Sequence, residues 1–302
     1  MDYKKIIKSR DMRKRILYWL SWVPDWIMIP LQYKIHTGHT LHLKNPKRFT
    51  EKLQLYKLKY RNPNMLRCTD KYEVRNYVEE KGMAAYLIPL IGVYNKVEEI
   101  DFEDLPRQFV AKTTDGGGGN NVFICKDKEK VKAEDFYARM RKWMAEPKGL
   151  HAGREWAYEN HYPRRIVIEE FIGNERIKDL PDYKFFCFDG KVHYVYGICD
   201  RKVGLSVQLG VYDKVFNKLD VDRCDERHQD VALPKPPNYE RMVELAERLS
   251  EDFPHVRVDL YNVMGKIYFG ELTFYDGSGY MQYSPDSFDF EMGKKFEVSE
   301  FH

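Results

Sequence analysis

A lysine closes the apolar run FVAK at Lys112, and four glycines follow at Gly116, Gly117, Gly118 and Gly119. That order suits a polyphosphate. Glycine tolerates left-handed dihedrals and lets backbone N–H groups approach an anion, and the lysine neutralises charge that backbone donors cannot. Far downstream, RVDLYNVMGKIYFGEL places Arg257 and Asp259 two residues apart, and Glu271 and Thr273 are again two apart in GELTF. With a side-chain period of two, adjacent strands would bring all four groups to one face. Oxygen atoms of Asp259 and Glu271 suit magnesium, which binds through one or two carboxylates plus substrate phosphates. Arg257 would steady the charge on a phosphoryl group in transfer. Together the two segments point to ATP with Mg2+.

Two further segments fit that chemistry. In IVIEEFIG, Glu169 and Glu170 alternate in direction, so at most one faces a pocket. Such a strand can offer backbone groups to an adenine edge and a carboxylate to a ribose. Lys184 in DYKFF lies between apolar residues, where a lysine needs an anion. A nucleotide phosphate would serve, and so would a salt bridge to Asp182 or a Glu. No GK[ST] follows the glycines and no GxGxxG occurs, which argues against a P-loop or a Rossmann turn. Asp220 and Asp222 form a DxD within LDVDRCDER, a charged stretch that reads as a solvated loop. His36, His39 and His42 recur every third residue, yet Thr37, Gly38 and Thr40 argue against a helix there, and surface histidines are expected.

The elements that must position these groups are legible in outline. LKNPKRFTEKLQLYKLKYRN predicts a helix capped by Thr50, and DKYEVRNYVEEKG, which carries Asp70, Lys71 and Arg75, predicts a second one stopped by Gly82. YLIPLIGVY reads as a short strand. FVAK and NVFICKD form a hairpin about the glycines, a helix covers Ala133 to Ala145, and RIVIEEF closes the unit. DYKFFCFDGKVHYVYGICD predicts a hairpin turned at Asp189 and Gly190, and a helix over Tyr239 to Asp252 leads into the acidic strands. The fold class is α+β. The divisions expected are an arm at 1–34, a mainly helical domain at 35–105, a glycine-loop subdomain at 106–172 and a metal-binding subdomain at 173–302.

With 302 residues, 43% hydrophobic, 32% charged and a net charge of +3, the chain is globular and gives no sign of nucleic-acid binding. Cys68, Cys125, Cys187, Cys199 and Cys224 are odd in number and never form CxxC, so neither a disulfide framework nor a zinc site is expected, and a reducing cytoplasm fits. The basic residues Lys4 to Arg15 precede an apolar stretch, Ile16 to Leu31, that resembles a signal peptide in outline. Asp25 and two prolines interrupt it, it is shorter than the roughly 20 residues a bilayer requires, and no small-residue cleavage site follows. Two readings stay open: an interfacial helix whose Trp19, Trp22 and Trp26 lie on a membrane surface, or a helical arm packed on the body.

The order FVAK, GGGG, IVIEEFIG, DYKFF, RVDLY and GELT resembles that of ATP-grasp proteins. More narrowly, LKNPKRFTEKLQLYKL, TDKYEVRNYV, LIPLIGVY and GELTFYDGSG are similar to the TupA-like ATP-grasp family associated with teichuronopeptide and capsular polysaccharide assembly; the similarity covers roughly residues 35 to 285. The resemblance implies an ATP-grasp fold holding the nucleotide between two α+β subdomains. It also implies ATP-dependent carboxylate–amine ligation through an acyl phosphate, with no protein nucleophile. By position, Lys112 and Lys184 would contact the phosphates and Gly116 to Gly119 would cover them. Glu169 with the Phe171 and Ile172 backbone would hold adenine, and Glu175 the ribose. Asp259 and Glu271 match the metal carboxylates, and Arg257 the phosphate-facing arginine. One position departs: many ATP-grasp ligases carry Asn where Thr273 stands, and a hydroxyl is the weaker ligand.

The expected reaction joins an amino acid or other amine to a carboxylated sugar or glycan precursor, with peripheral contact at the inner membrane face and no nucleic-acid partner. Arg154, Glu155 and Arg201 are candidates for acceptor binding. The alternatives are a glycan kinase, a non-catalytic nucleotide-binding scaffold and, on the DxD alone, a glycosyltransferase.

Overall fold

The computed structural model describes residues 12, 16–17, 19–116, 121–146, 153–159, 162–173, 180–200 and 207–301. Helices α1 (Asp25–Thr37), α2 (Phe49–Lys59), α3 (Pro63–Thr69) and α4 (Glu73–Glu80) precede the first strand. Then β1 (Leu90–Tyr94), β2 (Phe109–Thr113), β3 (Val122–Cys125), α5 (Ala133–Met144) and β4 (Ile166–Glu170) build one unit. β5 (Asp182–Phe188), β6 (Lys191–Cys199), β7 (Gln208–Asp213), β8 (Asp222–Arg223), β9 (Arg227–His228), α6 (Tyr239–Ser250), β10 (His255–Val263), β11 (Lys266–Thr273), β12 (Tyr283–Ser284) and α7 (Ser287–Lys295) complete the chain. The class is α+β, with helices set against sheets that are antiparallel except for the β7–β9 pair.

β1, β4, β2 and β3 form a four-stranded sheet in that order, and β11, β10, β5, β6, β7 and β9 a six-stranded one. Phe102, Phe109, Phe136, Met140, Ile166 and Ile168 make the core of the smaller sheet with α5. The larger sheet shares its core with α2, α3 and α4 through Phe49, Leu53, Tyr56, Met65 and Tyr77. Residues 35–105, expected to stand as one domain, are therefore divided. The helices join the large core, whereas Val97 to Leu105 pack with the small one. The physical reason is that α2–α4 are too short to enclose a core between them.

Local corrections are few. Helix α2 begins at Phe49, not after a Thr50 cap: Glu51 accepts the N–H groups of Lys47 and Arg48 at 2.9 and 3.1 Å. Thr50 instead donates to Asp289 at 2.7 Å, tying α2 to α7. The single helix expected after Thr69 is preceded by another, α3, and Asp70 separates the two by accepting the N–H groups of Tyr72 and Glu73 at 2.9 Å each. Gly82 stops α4 as expected, at φ +76°. Strand β7 and helix α7 had no counterpart in the sequence reading.

One core residue makes stability depend on pH. His255 is buried among Phe49, Phe186, Phe188 and Phe296, with Nδ1 donating to the Cys187 carbonyl at 2.9 Å and no partner for Nε2 among the described residues. Burial lowers the imidazole to about 4 from 6.5. Because only the unfolded chain takes up the proton between those values, stability is complete above pH 6.5 and falls as pH drops toward 4. The expected loss is roughly 3 kcal/mol, and His255→Phe should flatten that limb in urea unfolding measured across pH.

Candidate active site

The small sheet supplies the first half of the site. Lys112 on β2 and Glu169 on β4 lie on one face, their neighbours across the sheet being Val167 and Val110. Lys112 Nζ meets Glu169 Oε2 at 2.6 Å, and Arg75 Nη1 meets Oε1 at 3.3 Å. Glu169 is buried and Glu170 exposed, the alternation the strand demands. The carboxylate therefore needs both cations where it stands.

Beyond β2 the chain enters the glycine segment, and three basic residues hold its start. Arg164 donates to Asp115 at 2.7 Å and to the carbonyls of Trp143 and Glu146 at 2.8 and 2.7 Å, which binds the loop entrance to the end of α5. Arg165 pairs with Glu73 at 2.7 Å. Lys71, between α3 and α4, donates its backbone N–H to the Thr114 carbonyl at 2.9 Å and its ammonium to the Gly116 carbonyl. Gly117, Gly118, Gly119, Glu175 and Arg201 lie outside the described residues.

The large sheet supplies the second half. Across β10 and β11, Arg257 stands opposite Thr273 and Asp259 opposite Glu271, while on the other side Asp259 stands opposite Lys184 of β5. Phe269 and Glu271 are two apart and would share a face in a regular strand. Pairing shifts by one residue at Gly270, so Phe269 stays in the core while Glu271 faces the cluster. A Cβ at Gly270 would sit 3.0 Å from the Asp259 carbonyl oxygen, so glycine suits this close crossing.

Arg257 organises the cluster. Its Nε and Nη2 donate to the two Asp259 oxygens at 2.7 Å each, Nη2 also reaches Thr273 Oγ1 at 3.0 Å and Glu271 at 3.3 Å, and Nη1 pairs with Asp276. Asp276 in turn accepts from Arg223 at 3.0 Å. Lys184 pairs with Asp259 and, at 3.0 Å, with Asp182. The nearby salt bridge foreseen for this lysine is thus present.

The charges respond to burial and to one another. Burial pushes Asp259 up to about 6 against the pull of Arg257 and Lys184. Burial also opposes the charge on Lys184, but Asp182, Asp259 and Glu271 outweigh it and hold the lysine above its ordinary value. Glu271 is likewise opposed by burial and drawn below the usual carboxylate range by Lys184, Arg257 and Lys71. Its side chain nevertheless remains 44% exposed, open to the cleft. Burial lowers Lys71, which feels Glu271 of one sheet and Lys112 of the other, so this lysine sits where the halves face each other.

The donor set fits a hard cation of the magnesium type: two carboxylates, one of them accessible, with phosphate oxygens to complete the shell. Among the described residues no three His, Cys, Asp or Glu side chains are grouped to hold a metal unaided. Asp220 and Asp222 make no such site, and Asp222 pairs with His228 at 2.5 Å. His36 stacks on Tyr280 at 4.7 Å and His39 approaches Asp286, so the histidines do not converge.

Among the acceptor candidates, Arg154 is engaged elsewhere than expected. Its guanidinium donates to the Leu20 and Val23 carbonyls and to Asp25, all in the N-terminal arm. Glu155 lies within electrostatic reach of Lys57, Tyr158 and Tyr275, beside the end of β11. Sequence reasoning missed Lys71, Arg75 and Asp276 as members of the site. A DK pair ahead of an amphipathic helix was the available signal for the first, and it does not say where the ammonium points.

Lys112→Ala tests the first half. Removing the cation strands Glu169 with Arg75 and deletes the expected phosphate contact, so ATP affinity by calorimetry should fall by roughly 10- to 100-fold, the loss of about 1.5–3 kcal/mol from one charged hydrogen bond.

No curated protein matches the chain. Among solved structures, D-alanine–D-alanine ligase from Bacillus anthracis complexed with ATP aligns at 16% identity over 68% of this chain and 55% of that one, TM-score 0.40. Another structure of that ligase aligns at 21% over 77% and 67%, TM-score 0.43. The ATP-grasp ligase PsnB with minimal precursor, Mg and ADP aligns at 12% over 72% and 55%, TM-score 0.37. The chain thus spans 55% to 67% of the length of these three. A family model described as TupA-like ATPgrasp matches residues 51–297, which include every strand of both sheets and all the site residues described above, and the chain belongs to that family.

Proposed function

We propose that this protein is an ATP-dependent carboxylate–amine ligase that attaches an amino acid or other amine to a carboxylated sugar during surface, capsule-type polysaccharide synthesis. The observation that carries the reading is the Arg257–Asp259–Glu271–Thr273 cluster beside Lys184, with Lys71 and Lys112 nearby and Lys71 held on the Gly116 carbonyl. Four cations converge on one cleft, and each has a protein acceptor that a polyphosphate can replace.

Lys112 and Lys184 would hold the phosphates beneath Gly116 to Gly119, while Glu169 with the Phe171 and Ile172 backbone would hold adenine and Glu175 the ribose. Mg2+ would be held by Asp259 and Glu271, with Thr273 at the rim, and when bound it would neutralise phosphate charge. The substrate carboxylate oxygen attacks the γ-phosphorus as the bond to the β-bridging oxygen breaks, giving ADP and an acyl phosphate. Arg257 offsets the charge of the moving phosphoryl group. The amine then attacks the acyl carbon, phosphate leaves with the bonding pair, and the amine gives up a proton to yield the amide. Positioning and electrostatics supply the catalysis, and no protein nucleophile is required. The reducing, cytoplasmic setting expected from the cysteine spacing goes with this reading.

The test is ADP and phosphate release from ATP and Mg2+ with pools of uronic-acid glycans and amino acids. Release that needs both a carboxylate and an amine supports ligation. Release with the glycan alone, giving a hydroxylamine-stable phosphorylated product, replaces it with a kinase. ATP binding without release from any pool replaces it with a scaffold.

A further inference from the structure

Helix α1 is apolar on both sides, and the body covers only one. Met28, Ile29 and Tyr33 are buried, Tyr33 bonding Thr50 of α2 at 2.9 Å. Ile27, Leu31 and Ile35 occupy the opposite side at a spacing of four, Trp26 stands in the first turn, and all four are exposed. Just before the helix, Trp19 and Trp22 are 78% and 80% exposed, and Trp26 is 68% exposed. Single exposed apolar residues are ordinary on a protein surface, but six of them within residues 19–35, three of them indoles, mark a contact surface.

We infer that this patch is a docking surface for an anionic lipid bilayer. Two features select that occupant. Tryptophan favours the headgroup level, where its ring is apolar and its N–H stays hydrated. The chain leading into the patch carries seven Lys and Arg between residues 4 and 15 against the single acid Asp11, a charge complementary to anionic headgroups. Apolar burial plus a polybasic segment are the two signals that stable peripheral attachment requires. The helix lies on the bilayer rather than through it, since no helix among the described residues is long and apolar enough to cross.

The patch is fixed to the body, so docking sets the orientation of the whole protein. Arg154 clamps the Leu20 and Val23 carbonyls and Asp25, the last at 2.7 Å. Gln32 accepts from Tyr280 at 2.9 Å, and Gln282 donates to the His36 carbonyl at 2.7 Å. Residues 280–282 follow shortly after β11 and Asp276, which places the membrane-facing helix against the segment that leaves the candidate active site.

The experiment is co-sedimentation of the full chain with vesicles of phosphatidylcholine alone or mixed with phosphatidylglycerol, with tryptophan emission recorded in parallel. Binding should require the anionic lipid, shift the emission to the blue and weaken with salt. The triple variant Trp19→Ala, Trp22→Ala, Trp26→Ala should lose at least about tenfold in partitioning. Replacing Arg13, Lys14 and Arg15 with Gln should cost at least about tenfold on anionic vesicles and nothing on neutral ones. The Trp variant should keep its circular dichroism and its ATP affinity, because the three side chains are exposed and none belongs to the candidate active site. Absence of vesicle binding overturns the proposal, as does equal binding to neutral vesicles, or a Trp variant that binds anionic vesicles like the parent. Capture of a protein partner through these tryptophans without vesicle binding would also replace it.

Discussion

Glu271→Gln should leave the protein folded and lower ATP turnover by roughly 100- to 1,000-fold, the scale on which removing one preorganised electrostatic partner acts. Glu271 belongs to the cluster without being sealed in it. Its side chain is 44% exposed, whereas Asp259 and Asp276 are buried. A glutamine keeps the length of the side chain and an oxygen for Arg257 Nη2, now at 3.3 Å, so the ion-pair core of Arg257 with Asp259 and Asp276 persists. The loss is one negative charge facing the cleft, between Lys71 and Lys184. ADP release at saturating ATP, with thermal unfolding in parallel, separates the two effects. Full turnover by the variant would remove Glu271 from the metal assignment and weaken the ligase reading with it.

Arg257→Ala should be the most destabilising single change in the site, by about 3–5 kcal/mol, because it leaves Asp259 and Asp276 buried without their main counter-ion. Lys184 and Arg223 each keep one of those carboxylates, which bounds the loss from above. Arg257→Lys should recover only part of it. One ammonium cannot contact both oxygens of Asp259 together with Asp276 and Thr273, as the planar guanidinium does. Urea unfolding of the three proteins decides the matter. A loss below about 1 kcal/mol for the alanine variant would mean that the cluster is hydrated like a surface ion pair rather than buried.

The strands that carry the site were legible because their pattern is local. RVDLY and GELTF alternate, so Arg257 with Asp259 and Glu271 with Thr273 had to share faces, and the structure pairs them residue for residue. The alternation of Glu169 and Glu170 likewise told that at most one acid faces inward, and the structure makes it Glu169. β7 went unread because QLGVYD, buried at four consecutive residues, has no clean alternation. α7 was missed because its sequence, SFDFEMGKK, carries a glycine that lowers helix propensity. That glycine is required by packing: a Cβ on Gly293 would lie 2.1 Å from the Lys47 carbonyl oxygen just before α2, a constraint no local pattern expresses.

By itself, then, the sequence determined the α+β class, pointed to the family through the resemblance of its motifs, and offered a candidate set of site residues, the last from spacing along single strands and from a run of glycines. The tertiary structure decided which charges meet. Lys71 and Asp276 joined the site, and Arg154 was drawn to the arm instead of the cleft. Asp276 pairs with Arg257 from a turn beyond β11, and Lys71 reaches the glycine segment from between two helices. Such meetings are set by sheet register and helix packing over separations of tens of residues. The free energy of pairing buried charges enforces them there, and local periodicity carries no information about it.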